Sequence, residues 1–299
     1  MSEPISTCLI LGGGGQLGQQ LTWLLQEQSP YQVRSLTSSE LDITNPDAIA
    51  AELDGHPTDL CINCAAYTQV DKAESESEAA YRVNETGSRY LAEACRDRGL
   101  WLIHISTDYV FNGTQSTPYC ETDPTNPLGV YGKSKLAGEE AIRQICPYHI
   151  ILRTAWVYGA YGAKNFVKTM LRVGAEREEL RVVCDQIGSP SWTGDIARAI
   201  AQLLPYLTPE NAGTYHFTSS GAASWYDFAV TIFEEAQQLG FPLQVKRVVP
   251  IPTSEYPTPA TRPAYSVLNW QKFANLVDTY PPHWRNGLRK MLAEFQQMG

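Results

Sequence analysis

No apolar run in the 299 residues approaches the ~20 needed to cross a bilayer, so a membrane-spanning reading is excluded. The N-terminal MSEPISTCLILGGGG has no basic region, and its apolar stretch runs straight into glycines, which predicts a buried strand rather than a secretory leader. Basic residues are in the minority, 23 against 32 acidic, for a net charge of −9. A pI near 5.1 describes a field that repels long polyanions, so nucleic acid is excluded as a partner. Small phosphorylated ligands, which need only local donors, are not excluded. Cysteine is odd in number at seven, with Cys8, Cys61, Cys64 and Cys184 in strand-like contexts, which predicts reduced thiols and a cytoplasmic protein. Cys61 and Cys64 form a CxxC, but residues three apart on a strand face opposite sides and pack rather than bridge. Repeats and low-complexity tracts are absent. At 43% hydrophobic and 18% charged, what remains is an ordinary globular chain.

The first half alternates strand-like runs at 5–11, 32–36, 59–65, 101–106 and 149–154 with helical patterns at 16–28, 47–53, 79–98 and 130–146. Such an order predicts a doubly wound α/β parallel sheet of the Rossmann type, with ligands at the carboxyl ends of its strands. Beyond residue 155 the rhythm loosens. Helices are expected at 163–175, 194–204, 224–239 and 285–297, and short strands at 181–184, 214–218 and 246–249. We divide the chain into a dinucleotide-binding domain, 1–155, and a mainly substrate-binding α/β lobe, 156–299, with segments around 185–218 packing back onto the first. Proline-rich 250–263 is expected to be extended loop.

Gly12, Gly15 and Gly18 give GxxGxxG between the first strand and first helix. Lacking Cβ, this turn lets backbone amides and the helix N-terminus meet a pyrophosphate. The second strand ends Leu36-Thr37-Ser38-Ser39, with neither the carboxylate that favours NAD nor the arginine that favours NADP. Both cofactors stay open, and Asp42-Ile43 lies just beyond.

The fourth strand ends Ser106-Thr107-Asp108-Tyr109, and Tyr131 and Lys135 follow four residues apart on a helix, hence on one face. An ammonium beside a phenol favours the phenolate, and a hydroxyl such as that of Thr107 can share the phenol's hydrogen bond. The set makes an acid–base group for a carbonyl or alcohol. His104 reads as packing and Asn84 as a brace for the catalytic strand. The acidic run Asp71, Glu74, Glu76 and Glu78 reads as a solvated helix start rather than a metal site.

GxxGxxG, STDYVF and YxxxK together resemble the extended short-chain dehydrogenase/reductase superfamily. The blocks GGGGQLGQQL (12–21), INCAAYTQVDKAE (62–74), STDYVFNG (106–113), ETDPTNPLGVYGKSKLAGE (121–139), RTAWVYG (153–159), NFVKTML (165–171), DQIGSPS (185–191) and PTSEYPTPATRP (252–263) resemble its dTDP-4-dehydrorhamnose reductase family, over nearly the whole chain. The resemblance implies reduction of the C4 keto group of dTDP-4-dehydro-6-deoxy-L-mannose to dTDP-L-rhamnose, with NADPH or NADH. Tyr131 would be the proton donor, Lys135 the ribose-holding residue and Thr107 the third member. It places Gly12, Gly15, Gln16 and Leu17 at the pyrophosphate, Asp42 and Ile43 near adenine, and Ala65, Ala66 and Tyr67 beside the cofactor. Asp108 and Trp156 would meet the sugar, with Tyr158 and Tyr161 packing, and Arg262 the diphosphate.

Some relatives dimerise around a divalent cation such as Mg2+. Glu294 matches one of the liganding glutamates, but Gly194-Asp195 does not align with another, so no metal ligands are assigned and monomer and homodimer both stay open. The rival expectations are a sugar-nucleotide epimerase that keeps its cofactor and a non-catalytic NADP-binding regulatory subunit.

Overall fold

The structure is a computed structural model that describes residues 5–28 and 31–298; the outermost ends of the two expected domains lie outside them. Five parallel strands, β1 (Thr7–Leu11), β2 (Gln32–Leu36), β3 (Leu60–Asn63), β4 (Trp101–Thr107) and β5 (His149–Thr154), are joined by an edge strand, Gly213–His216, from the second half of the chain. The sheet order is edge strand–β5–β4–β3–β1–β2. After β1 the chain moves outward to β2, then returns to the other side of β1 as β3. The crevice where this direction reverses, at the carboxyl ends of β1 and β3, is where a doubly wound sheet binds ligands.

Near-continuous apolar runs form these strands because both faces are covered. Ile10, Ile62, Ile103 and Leu152 pack on one face against Leu21 and Leu25 of helix α1 (Gln16–Gln28) and against Ile196 and Ile200 of the helix Thr193–Leu203. Their strand neighbours Leu9, Leu11, Cys61, Leu102 and Ile151 pack on the other against Leu91, Cys95 and Ile142. Each such side chain, fully buried, contributes roughly 1.5–3 kcal/mol. A third core joins the helices Phe166–Glu176, Trp225–Gln238 and Trp284–Met298 through Val167, Leu171, Phe228, Ile232, Leu288 and Met291. Tyr158 lies in this core, 1% exposed. All seven cysteines are free thiols.

Three sequence expectations shift. The helix expected over 79–98 is broken: Ser77–Tyr81 leads into a π-helical turn, Arg82–Gly87, before Ser88–Arg98 resumes. A wide turn of this kind adds a residue without changing the apolar period enough to be read from sequence. Pro250 is not in loop but in the strand Arg247–Ile251, paired in parallel with Glu179–Val183. A two-stranded ladder has outer edges where a missing N–H costs nothing. The helix Gln271–Val277 was not foreseen.

Candidate active site

The turn after β1 is built for close approach. Gly12 has φ +77, and a Cβ there would stand 2.6 Å from the Ala65 amide nitrogen at the end of β3. Gly14 and Gly15 are exposed, and the first turn of α1 carries no acidic residue to cancel its positive end. Backbone donors, dipole and absent side chains fit a pyrophosphate. Leu17 is buried in the core and Gln16 spends its amide elsewhere, donating to Val157 O (3.1 Å) and accepting from Asn165 Nδ2 (3.2 Å). Those two residues can therefore serve a ligand through their backbone. Asp42 is exposed and its carboxylate accepts from Thr44 N (2.9 Å), while Ile43 is buried beneath it. Beside the end of β2 sits a carboxylate that the sequence reading passed over: Glu40 accepts from both the amide and hydroxyl of Thr37 at 2.8 Å.

Ala65, Ala66 and Tyr67 follow β3 and are half-buried. Asn84, in the π-helical turn, holds this loop by accepting from Tyr67 N (2.9 Å) and donating to Tyr67 O (3.1 Å). Its amide also donates to Ser134 Oγ (2.9 Å) on the helix Val130–Ile145. Asn84 therefore braces the loop and the Tyr131 helix, not the strand expected. That helix lies close: a Cβ on Gly138 would meet Asn84 O at 2.1 Å.

The acidic run is also not simply solvated. Glu74 accepts from Val130 N (2.8 Å), capping the Tyr131 helix from outside because Gly129 has no side chain to do so. Glu76 accepts from the Tyr67 hydroxyl (2.6 Å), and that pairing pushes the phenol up to about 12. Asp71 takes the fork of Arg262 at 2.8 and 3.0 Å. Arg262, expected to face a diphosphate, is thus neutralised in this geometry, with Thr258 Oγ1 (2.5 Å) and Ala260 O (3.2 Å) taking further donors.

Thr107 ends β4, donating to Asp108 Oδ1 (3.1 Å) and accepting from Tyr109 N (3.2 Å). Tyr131 stands beside it, its ring edge-on to Tyr109 with centroids 5.7 Å apart. Desolvation pushes the Tyr131 phenol up to about 12; a hydrogen bond with Thr107 pulls it down and Asp108 raises it. Burial raises Asp108 itself to about 6, against the hydroxyls of Ser266 and Thr107.

Lys135 departs from expectation. Among the described residues its Nζ donates to Ile105 O (2.7 Å) and meets His104 Nε2 (3.1 Å), rather than the phenol. Residues four apart share a helix face, but the buried nitrogen takes the acceptor that β4 presents at Ile105. The same stripe continues to Glu139, another residue the sequence reading missed. Its carboxylate accepts from Ser106 Oγ (2.5 Å), from Arg153 Nη2 (2.7 Å) and Nε (2.9 Å), and from Arg143. YxxxK extended by two further fours gives Glu139 and Arg143, the signal that was available.

Across the carboxyl edge of the sheet, Asp108 Oδ2 and the hydroxyls of Thr154 and Thr218 are buried without a hydrogen-bond partner. Unpaired groups of this kind cost about 1–3 kcal/mol each unless a ligand satisfies them. Trp156 adjoins, in the left-handed region at φ 47, where a bulky residue is strained. One face of its ring is already stacked on Trp225 at 3.4 Å, a partner the sequence did not reveal. Glu294 accepts weakly from Gln20 (3.4 Å) and Asp195 pairs with Arg198 (2.5 Å). Among the described residues no three potential metal ligands cluster, and no helix is long and apolar enough to cross a membrane.

Comparison with known proteins identifies the family. The family described as the RmlD substrate binding domain matches residues 6–297. A dTDP-4-dehydrorhamnose reductase of Aggregatibacter actinomycetemcomitans is 46% identical over 288 residues, 95% of this chain and 98% of the relative. The crystal structure of a dTDP-4-dehydrorhamnose reductase from Clostridium acetobutylicum superposes with TM-score 0.90 at 39% identity, covering 97% and 99% of the two chains. One from Bacillus anthracis, in complex with NADP, gives 0.89 at 39% identity, also covering 97% and 99%. The chain belongs to the RmlD substrate binding domain family, the family of the dTDP-4-dehydrorhamnose reductases.

Proposed function

We propose that this protein reduces the C4 keto group of dTDP-4-dehydro-6-deoxy-L-mannose, giving dTDP-L-rhamnose, the last step of dTDP-rhamnose synthesis. The observation that carries the reading is Tyr131 set against Thr107 at the carboxyl edge of the sheet, beside a turn that fits a pyrophosphate. When bound, the reduced nicotinamide dinucleotide supplies the hydride. Tyr131 supplies the proton to the oxygen of the former carbonyl. A phenol pushed up to about 12 is fully loaded at neutral pH, the form an acid needs, and an alkoxide is basic enough to take its proton. An ammonium beside it, the sequence expectation, would bring the phenol down toward the working pH and make it a stronger acid.

Thr107 orients the phenol, and Asp108, Thr154 and Thr218 offer polar atoms to a sugar. Arg262, released from Asp71, supplies a fork suited to a diphosphate. The backbone of Gly12, Gly15, Gln16 and Leu17 serves the pyrophosphate. Ala65, Ala66 and Tyr67 flank the dinucleotide, with Asp42 and Ile43 toward adenine. The Glu40 carboxylate suits a 2′-hydroxyl, and the Ser38 and Ser39 hydroxyls a 2′-phosphate, so both dinucleotides belong in the test. Following near-ultraviolet absorbance, oxidation of NADPH or NADH should require the dTDP-4-keto sugar and should go to completion with added substrate. No oxidation with either dinucleotide would return the protein to the non-catalytic binding class.

A further inference from the structure

Three buried polar side chains line up behind the Tyr131 helix. Asn63 and Lys135 are each 1% exposed and His104 is fully buried. Asn63 Oδ1 accepts from Ala65 N (3.0 Å), which fixes the amide so that Nδ2 faces His104 Nδ1 at 3.1 Å. An amide nitrogen only donates, so Nδ1 carries the ring's lone pair. Burial, the largest influence, holds the ring neutral, well below the usual imidazole range, so its one proton sits on Nε2. That N–H points at Lys135 Nζ, 3.1 Å away. An ammonium has no lone pair to receive it; an amine does, and still donates to Ile105 O at 2.7 Å. Donor and acceptor roles then agree along the whole train, from the Ala65 amide to the Ile105 carbonyl.

We propose that the Asn63–His104 pair favours the neutral amine of Lys135, the dominant form in mildly alkaline solution, and that binding of a pyridine dinucleotide there draws a proton onto it. The other groups facing Lys135 do little to oppose this. Glu139 raises it, but its carboxylate is spent on Arg153, Arg143 and Ser106. Cys64 faces it too, but burial pushes that thiol up to about 12, leaving it uncharged near neutrality. Desolvation is the largest influence on the lysine and brings it down to about 8. A dinucleotide adds phosphate charge and ribose lone pairs, both of which favour the ammonium. His104 thus acts as a positioning residue, through Lys135. The second half of the proposal rests on the dinucleotide reading above; the first half does not.

The test is a titration of the full-length protein carrying carbon-13 at lysine Cε, with the Lys135 signal assigned by its loss in Lys135→Met. The signal should turn over near pH 8, and His104→Gln, whose amide oxygen can accept from an ammonium, should move that midpoint up by about one unit or more. A wild-type midpoint above about 10, as for a free lysine, overturns the proposal, as does the same midpoint in His104→Gln. Should that variant fail to fold, the wild-type midpoint decides alone. Heats of NADP binding at about pH 8.5 in buffers of different ionisation enthalpy should show uptake of a large fraction of a proton. Binding without uptake overturns the proposal, whereas no binding at all overturns the dinucleotide reading and leaves the titration to decide the state of Lys135.

Discussion

Tyr131→Phe should lower kcat by roughly 10²- to 10⁴-fold, the usual worth of a positioned general acid, with little change in KM or in melting temperature. The substitution removes one oxygen and keeps the ring, so the edge-on contact with Tyr109 survives. What disappears is the proton and its hydrogen bond with Thr107. Solvent is a poor substitute, because the phenol lies among desolvating neighbours. Thr107 cannot replace it either, since an aliphatic hydroxyl is a far weaker acid. Steady-state kinetics paired with dinucleotide binding checks the claim: binding should be retained while turnover falls. Turnover within a few-fold of wild type would mean that another group protonates the sugar oxygen.

Glu139→Ala should destabilise the protein by about 3–5 kcal/mol, a large share of what holds a domain together. Glu139 is fully buried and Arg153 is 2% exposed, and the guanidinium reaches the carboxylate through two nitrogens. Removing the acid leaves a buried cation with His216 as a neutral neighbour; burial and Arg153 hold that imidazole down to about 3, so it supplies a lone pair but no charge. Ser106, on the strand that ends in Thr107, loses its acceptor as well. A urea midpoint compared with wild type measures the loss, and Glu139→Gln should fall between the two. Burial opposes the charge on Glu139, but Arg153, Arg143 and Ser106 outweigh it and hold the carboxyl below its ordinary value. A depressed folded-state value means that the stabilisation is present above the unfolded carboxylate range and is lost as pH falls through the folded value. The gap between wild type and variant should therefore be constant near neutrality and close only in strong acid.

What could be read from sequence was what local chemistry dictates. The glycine turn needs only its neighbours in the chain, and alternating apolar periods specify strands covered on both faces. Tyr131 and Lys135 could be placed on one helix face by counting. Where Lys135's nitrogen goes could not, because His104 and Ile105 reach it only through the register of β4 against the helix. The same holds for Arg262 and Asp71, 191 residues apart in the chain, and for Asn84, whose reach depends on a π-helical turn. Glu139 differs from these, since its spacing was visible and only its burial was not.

Deuterium tracing tests the central claim most directly. Reduction with dinucleotide deuterated at the transferring position of the nicotinamide ring should place deuterium on carbon 4 of the sugar, in one configuration, as read by proton NMR of the nucleotide sugar. Deuterium retained on the dinucleotide while the sugar is still converted, or found at another sugar carbon, would contradict direct hydride delivery to the keto carbon.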